Sequence, residues 1–445
     1  MTPTQSEHSA VPAGSGNTTF RAVTAAVAGT VFEWFDFFLY GSLVAVFGRL
    51  FFPPGQETAG LLAALAVFGA GWVVRPVGAL FFGRLGDRIG RRPTFLITIV
   101  LMGGATVGIG LLPTYASAGI LAPILLVTLR LLQGLAVGGE FGGAAIYVAE
   151  HSPARHRGLN TSLVMGTGTV GLLLALVAIM LTRALLGEAA FEAWGWRLPF
   201  LASVLLLALS VYMRMHLGES PMFEKLQAEG ELAHAPLKEA FTTPAHVKSM
   251  LLALVTLTAA QGVVWNAGTY FPLVFLQSPL GLDVGVAAKL MACALLLGAP
   301  LFPLAGWLSD RYGRRLVVIT GFALSALTLL PTFRMLAASV QPELEFFTAL
   351  GLIWTLAIPV ALVCGPAPAY LVELFPTRIR YSAIGLPYHI GNGWFGGFMP
   401  FATMALSVHF GNQFAGLYYP ITMAILCGLC ALLLMPETKD RDISL

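Results

Sequence analysis

Charge is scarce in this chain. Of its 445 residues only 11% are Asp, Glu, Lys or Arg, 57% are hydrophobic, and the mean hydropathy is +0.80. Soluble domains carry about 25% charged residues, so an ordinary water-soluble protein is excluded. Cysteine is equally sparse: Cys293, Cys364, Cys427 and Cys430, all in apolar stretches. They read as small packing residues rather than as disulfides, redox centres or metal ligands. No Gly-rich phosphate loop, no His-Glu-x-x-His and no Gly-x-Ser-x-Gly elbow occurs. The commonest signatures of nucleotide hydrolysis, zinc proteolysis and serine hydrolysis are therefore missing. The expectation is a protein that is not an enzyme and uses no cofactor or metal. A net charge of +3 calls for no nucleic-acid partner. Residues 1–19 are polar, lack a signal-peptide pattern and read as a disordered tail.

Long apolar runs are what the chain has instead. Runs of about 20 residues span a bilayer as helices, because lipid-facing backbone must satisfy its own hydrogen bonds. Twelve are readable, near 22–48, 59–83, 94–112, 120–149, 159–182, 197–216, 249–277, 285–308, 316–336, 346–371, 382–407 and 413–435. The fold class expected is an all-α integral membrane protein of twelve transmembrane helices in two pseudo-symmetric six-helix domains. The domains are 20–216 and 249–435, joined by a cytosolic linker at 217–248 and followed by a tail at 436–445. A short amphipathic helix is expected in the linker near 222–231. Most of the 25 Lys and Arg fall in alternate loops. The positive-inside rule places those loops, and both termini, in the cytosol.

Two copies of one unit explain the duplication of loop motifs. Gly83, Asp87, Arg88, Gly90, Arg91 and Arg92 recur 223 positions later as Gly306, Asp310, Arg311, Gly313, Arg314 and Arg315. Glu150, Pro153, Arg155 and Arg157 recur at the same offset as Glu373, Pro376, Arg378 and Arg380. Duplicated membrane units of this kind build carriers that rock one half against the other. A carboxylate beside a basic turn can accept from a neighbouring helix N-terminus and pair with arginines. Asp87, Arg88, Arg91, Glu150, Arg155, Asp310, Arg311, Arg314, Glu373 and Arg378 are expected to form a gate that closes the inner mouth.

The run Gly83-Arg84-Leu85-Gly86-Asp87-Arg88-Ile89-Gly90-Arg91-Arg92 resembles the loop 2–3 signature of the major facilitator superfamily. Further motifs are similar to its metabolite:proton symporter family. They are Glu33-Trp34-Phe35-Asp36-Phe37 with Tyr40-Gly41, Arg75-Pro76, and Arg130-Leu131-Leu132-Gln133-Gly134 followed by Gly138-Gly139-Glu140. Glu219-Ser220-Pro221 and Pro436-Glu437-Thr438 resemble segments of the sugar porters. The likeness covers nearly the whole chain. It implies transport of a small organic acid, or of betaine or proline, with protons, in a bacterial cytoplasmic membrane. Helix 5 reads Met165-Gly166-Thr167-Gly168-Thr169-Val170-Gly171, without the proline of the drug:proton antiporters in this superfamily.

Polar residues present in only one half are the candidates for substrate and ion. Glu33, Asp36, Arg75, Arg130 and Glu140 have Thr256, Ala259, Gly298, Ile353 and Val363 at the matching places. A charge at a helix centre is expensive, at about 2.5–3.5 kcal/mol on insertion scales, and marks function by default. Glu33, Asp36 and Tyr40 share one helix face by their i, i+3, i+7 spacing; Arg130 and Gln133 share another. Asp36, Glu33 and Arg130 are expected to couple protons, with Asp36 as the carrier and Arg130 as its ion-pair partner. The resemblance to sugar porters implies the same pair. Arg130, Gln133, Tyr40, Arg75, Asn266, Tyr270, Tyr388, His389 and Asn392 are the substrate candidates, and Glu140 with Arg75 reads as structural. The function expected is a monomeric symporter importing a di- or tricarboxylate by alternating access through a central cavity. The alternatives are a zwitterion symporter and a proton-coupled exporter.

Overall fold

A computed structural model describes residues 16–89, 91–139, 141–215, 236–377 and 379–443. The linker helix expected near 222–231, Glu140 and Arg378 lie outside the described residues. So do most of the N-terminal tail and the side chains of Asp87, Arg88 and Arg91.

Helices occupy all twelve apolar runs, and no strand occurs among the described residues. Eight are long and apolar enough to cross a bilayer unaided, and two bent pairs raise the number to ten. The first span runs Gly16–Ser42 and bends by 54° into Val44–Leu50. The sixth bends by 63° where Glu188–Gly195 meets Arg197–Tyr212. The third, Arg91–Leu111, opens on two arginines and keeps a shorter apolar core, Leu96–Leu111. The eleventh is Arg380–Ile390, a widened turn Gly391–Gly396, and Met399–His409. Together these are the twelve helices of an all-α membrane protein. The seventh, Pro244–Gln277, carries two more widened turns, Leu254–Thr258 and Asn266–Tyr270. Such turns cluster at functional sites because they re-aim side chains.

Glycine sets the helix spacing where polar side chains must be buried. The second span comprises Glu57–Val73 and Arg75–Ile89; the fourth comprises Leu121–Gly138 and Phe141–Glu150. They touch backbone to backbone, and a Cβ on Gly134 would overlap the Gly71 carbonyl. Overpacking of this kind costs about 1–3 kcal/mol. Gly134→Ala is expected to lower the thermal-unfolding midpoint and the monodisperse yield of purified protein. Gly104→Ala, in the third span, should leave both unchanged, since a Cβ there meets nothing within 4 Å.

The halves meet along two seams. The fifth span, Arg157–Leu186, lies against the eighth, Val284–Gly298 with Leu301–Tyr312. Gly158 and Gly306 make that contact. The second span lies against the eleventh, where Trp394 Nε1 donates to the Val73 carbonyl at 3.0 Å. Between the seams Tyr270 Oη donates to the Gly41 carbonyl at 2.8 Å, joining the seventh span to the first. The central cavity expected from the sequence is here packed with rings. Trp34 stacks on Phe38 at 5.4 Å, Phe38 on Trp265 at 5.0 Å and Phe68 on Tyr270 at 4.9 Å between centroids.

Candidate functional site

Two polar systems are buried between these helices, one at mid-depth and one at the face carrying the basic loops. At mid-depth, Glu33, Asp36, Tyr40, Arg75, Arg130, Gln133, Asn266, Tyr270, Tyr388, His389 and Asn392 are all buried. Their roles differ. Tyr40 Oη donates to the Ala64 carbonyl at 2.9 Å, which fixes the first span on the second. Asn266 Nδ2 donates to the carbonyls of Gly262 and Gly396, and its Oδ1 has no partner. Asn392 Nδ2 donates to the Tyr388 carbonyl at 3.2 Å. His389 meets the Gly138 backbone, and its Nδ1 has no partner.

The two arginines share one aromatic ring. The Arg75 guanidinium carbon is 4.5 Å from the Phe37 centroid, and that of Arg130 is 4.2 Å from it. Arg75 also lies 3.6 Å from the Trp72 centroid and Arg130 4.5 Å from that of Tyr40. Ring faces are attractive to a desolvated cation, which helps keep two like charges in a dry place. Glu33 and Tyr388 are near enough to Arg75 to act on its charge. Each guanidinium still has two nitrogens, Nε and Nη2, with no hydrogen-bond partner. Buried N–H groups of this kind are costly unless something receives them.

Asp36 and Arg130 do not form the ion pair expected from the sequence. Arg130 Nη1 donates to Gln133 Oε1 at 2.7 Å and reaches the Phe37 carbonyl at 3.4 Å. Gln133 Nε2 donates to Thr106 Oγ1 at 2.7 Å. The Thr106 hydroxyl donates in turn to the Met102 carbonyl at 3.0 Å, while Asp36 Oδ1 has no hydrogen-bond partner. Three side chains from two spans, Arg130, Gln133 and Thr106, are thus linked in a line. Sequence reasoning missed Thr106. A threonine in an apolar helix is unremarked unless its neighbours in space are known.

At the basic face the repeat becomes a reciprocal exchange. Arg157 Nη1 donates to Glu373 Oε1 at 3.0 Å, and Arg380 Nη1 to Glu150 Oε1 at 3.2 Å. Arg157 and Arg380 are repeat mates, as are Glu150 and Glu373, so each half lends an arginine to the other's carboxylate. Asp310 accepts from the backbone N–H groups of Gly158 and Leu159, both at 2.8 Å, across the fifth–eighth seam. The orphan donors of a helix N-terminus are so satisfied by a carboxylate from the opposite half. Arg314 joins Asp310 at 2.7 Å to Glu373 at 3.0 Å. Of the gate residues expected from the sequence, Asp310, Arg314, Glu150 and Glu373 enter this network. Arg155 and Arg311 do not: both are exposed and without an ion pair among the described residues. Arg155 lies in the short turn Ala154–His156, one step before the helix whose first residue, Arg157, points into the seam.

The C-terminal segment completes the network. Glu437 accepts from the backbone N–H of Arg314 and of Arg315, and the Thr438 hydroxyl donates to Glu373 Oε2 at 2.8 Å. The Arg441 carbonyl accepts from Arg157, and the Ile443 carbonyl from Arg380 and Thr377. Among the described residues nothing comparable ties the opposite face. There Arg183 pairs with Glu188 of its own half and reaches Asp283 of the other at 3.7 Å. Both acids are more than half exposed, and such pairs are worth about 0–1 kcal/mol.

Residues 21–248 match the family described as Sugar (and other) transporter, and residues 254–444 that described as Major Facilitator Superfamily. The chain is 35% identical to the inner membrane metabolite transport protein YhjE of Escherichia coli (strain K12), over 96% of both chains. It is 35% identical to the shikimate transporter of the same organism, over 94% of this chain and 95% of that one. It is 37% identical to the proline/betaine transporter of Salmonella typhimurium, over 95% of this chain and 84% of that one. Among solved structures, the proton:xylose symporter XylE bound to 6-bromo-6-deoxy-D-glucose superimposes with a TM-score of 0.72 at 20% identity. That match covers 96% of this chain and 98% of the other. Relatives of nearly equal identity are named for different solutes, so identity alone does not choose one.

Proposed function

Since the chain belongs to the major facilitator superfamily, as a metabolite transporter, we propose that it imports a small organic acid, a di- or tricarboxylate, together with protons. The observation that carries this reading is the pair of buried guanidiniums flanking Phe37, each with two unpartnered nitrogens. Carboxylates are what planar guanidinium forks bind best. Asp36 supplies the proton site. Ionised in place it would be buried without a countercharge, which is costly; as a neutral acid it is not. When the seam opens and the arginine or water reaches it, the proton can leave.

Alternating access follows from the two seams. The six-helix units 20–216 and 249–435 rock about the packed centre. The basic face is cytosolic, so both termini are inside a bacterial cytoplasmic membrane and the protein acts as a monomer. The buried network there is the inner gate, and the longer Arg183–Asp283 contact, whose acid is exposed, is the weaker outer one. The outer mouth therefore opens more easily from the packed state.

A second reading has one observation of its own. The rings of Trp34, Phe38 and Trp265 stack beside the arginines, and such faces attract quaternary ammonium groups. A betaine could place its carboxylate on a guanidinium and its ammonium on these rings. Uptake into proteoliposomes of radiolabelled mono-, di- and tricarboxylates, betaine and proline, with and without an imposed pH gradient, separates the two. The first reading requires a di- or tricarboxylate as best substrate, and a neutral or cationic one would overturn it. Arg130→Lys keeps the charge and loses the fork. Apparent affinity for the best carboxylate should fall by about one to two orders of magnitude, the worth of one charged hydrogen bond at about 1.5–3 kcal/mol.

A further inference from the structure

A groove of about 550 Å³ lies outside both buried polar systems, the size of a small-molecule site. Three elements form it: the linker helix Pro236–Thr242, the first turns of the seventh span, and the end of the twelfth, Tyr418–Leu434. Lys248, Leu251 and Val255 line it from one face of the seventh span, by their i, i+3, i+7 spacing. Phe241 and Leu434 join them from the two neighbouring helices. Leu251 and Leu434 are each more than half exposed, and Phe241 and Val255 are exposed as well. The lining is apolar apart from Lys248 and Thr242.

Helix length sets the depth of this groove. The seventh span, Pro244–Gln277, has 34 residues. At about 1.5 Å per residue it is roughly 50 Å long, against about 30 Å of hydrocarbon. Its first turns, which carry His246 and Lys248, therefore stand among headgroups, and the apolar turns from Leu251 onward stand below them. These first turns pack against Arg380–Ile390, whose first residue belongs to the network at the basic face. From Pro244 to Val255 the groove runs about 16 Å along the helix, roughly one leaflet's share of the hydrocarbon. A polar segment of chain would be stranded at that depth, and an acyl chain would not.

We propose that the groove holds one anionic phospholipid of the leaflet on the side of the basic loops. An acyl chain lies along Leu251, Val255 and Leu434, and the phosphate meets Lys248. Lys248 is exposed and has no ion pair or hydrogen bond among the described residues. Lysine lays its stem on apolar surface and sends its ammonium to the headgroups, which suits a site that is greasy below and charged at the rim. The nearest acid along the chain, Glu239, is part-buried on the linker helix and does not line the groove. Basic pockets between spans on this side of a membrane favour anionic headgroups over zwitterionic ones.

The test uses the full chain with photoactivatable p-benzoylphenylalanine in place of Phe241. It is reconstituted in vesicles of equal parts phosphatidylglycerol and phosphatidylcholine and irradiated, and the adducts are identified by mass spectrometry. Phosphatidylglycerol adducts should outnumber phosphatidylcholine adducts by about fivefold, the preference that one lysine supplies beside an anionic headgroup. Lys248→Gln should bring the two lipids to parity, and Lys248→Arg should keep the preference. Lys248 is exposed, so neither variant disturbs the packed helices. Equal labelling of the two lipids in the parent, or an unchanged ratio in Lys248→Gln, overturns the proposal. So do adducts on the chain's own residues 217–235 in place of lipid, which would make the linker the occupant. None of these outcomes depends on the transported solute, so the symport reading stands or falls separately.

Discussion

Asp36→Asn is expected to reduce gradient-driven accumulation of substrate to an inside-to-outside ratio of about one. Asparagine keeps the shape and removes the proton. A one-unit pH gradient is worth about 1.4 kcal/mol per proton, so a one-to-one symporter can reach roughly tenfold accumulation from it. The variant should forfeit all of that. Exchange of labelled for unlabelled substrate should survive, because exchange needs the binding site and both gates but no net proton movement. Uptake and exchange measured in the same vesicles check this. Accumulation equal to the parent's would remove Asp36 from the coupling mechanism.

Glu373→Gln is expected to have the largest effect on conformation. Glu373 accepts from Arg157, from Arg314 through two nitrogens, and from Thr438. All of these are buried. Breaking a buried ion pair by removing one partner costs about 3–5 kcal/mol, or roughly 150- to 5,000-fold in a two-state equilibrium. Single cysteines at the basic face should become more reactive and those at the opposite face less so. Its repeat mate behaves differently. Glu150 accepts from Arg380 through one oxygen, and its other oxygen has no partner. Arg380 also retains the Phe375 and Ile443 carbonyls. Glu150→Gln should therefore shift the equilibrium much less, although the sequence gives the two glutamates equal standing. Equal shifts in the two variants would show that the C-terminal segment and Arg314 do not reinforce the network at the basic face. Asp310→Asn should fall between them, at about 1–3 kcal/mol for a charged hydrogen-bond partner.

Much of this was legible from one dimension. Apolar runs located the helices because lipid permits little else. The 223-residue offset identified Glu150 and Glu373 with Asp310 and Arg314, because the buried ion-pair network draws on both repeats. Unduplicated charges picked out Asp36, Arg75 and Arg130, which lie within a few side chains of one another around Phe37. What stayed hidden depends on lateral approach and rotation of helices. Thr106 matters only because the third span turns it toward Gln133 of the fourth. Tyr40 and Tyr270, polar on paper, are hydrogen-bonded to backbone carbonyls of neighbouring spans. The choice of Arg157 over Arg155 follows from a short turn whose pitch a motif does not record. The C-terminal segment was read as a tail, because backbone carbonyls leave no mark in a sequence.

The central claim is that protons and substrate move together through this protein. The most direct measurement uses proteoliposomes holding an entrapped pH-sensitive dye, with no gradient imposed and the membrane potential clamped. Each compound of the carboxylate, betaine and proline panel is added outside in turn. The account predicts that at least one di- or tricarboxylate acidifies the lumen as it enters, and that the Asp36→Asn protein takes up the same compound by exchange without acidification. Entry of substrate into parent vesicles with no change in luminal pH would contradict it.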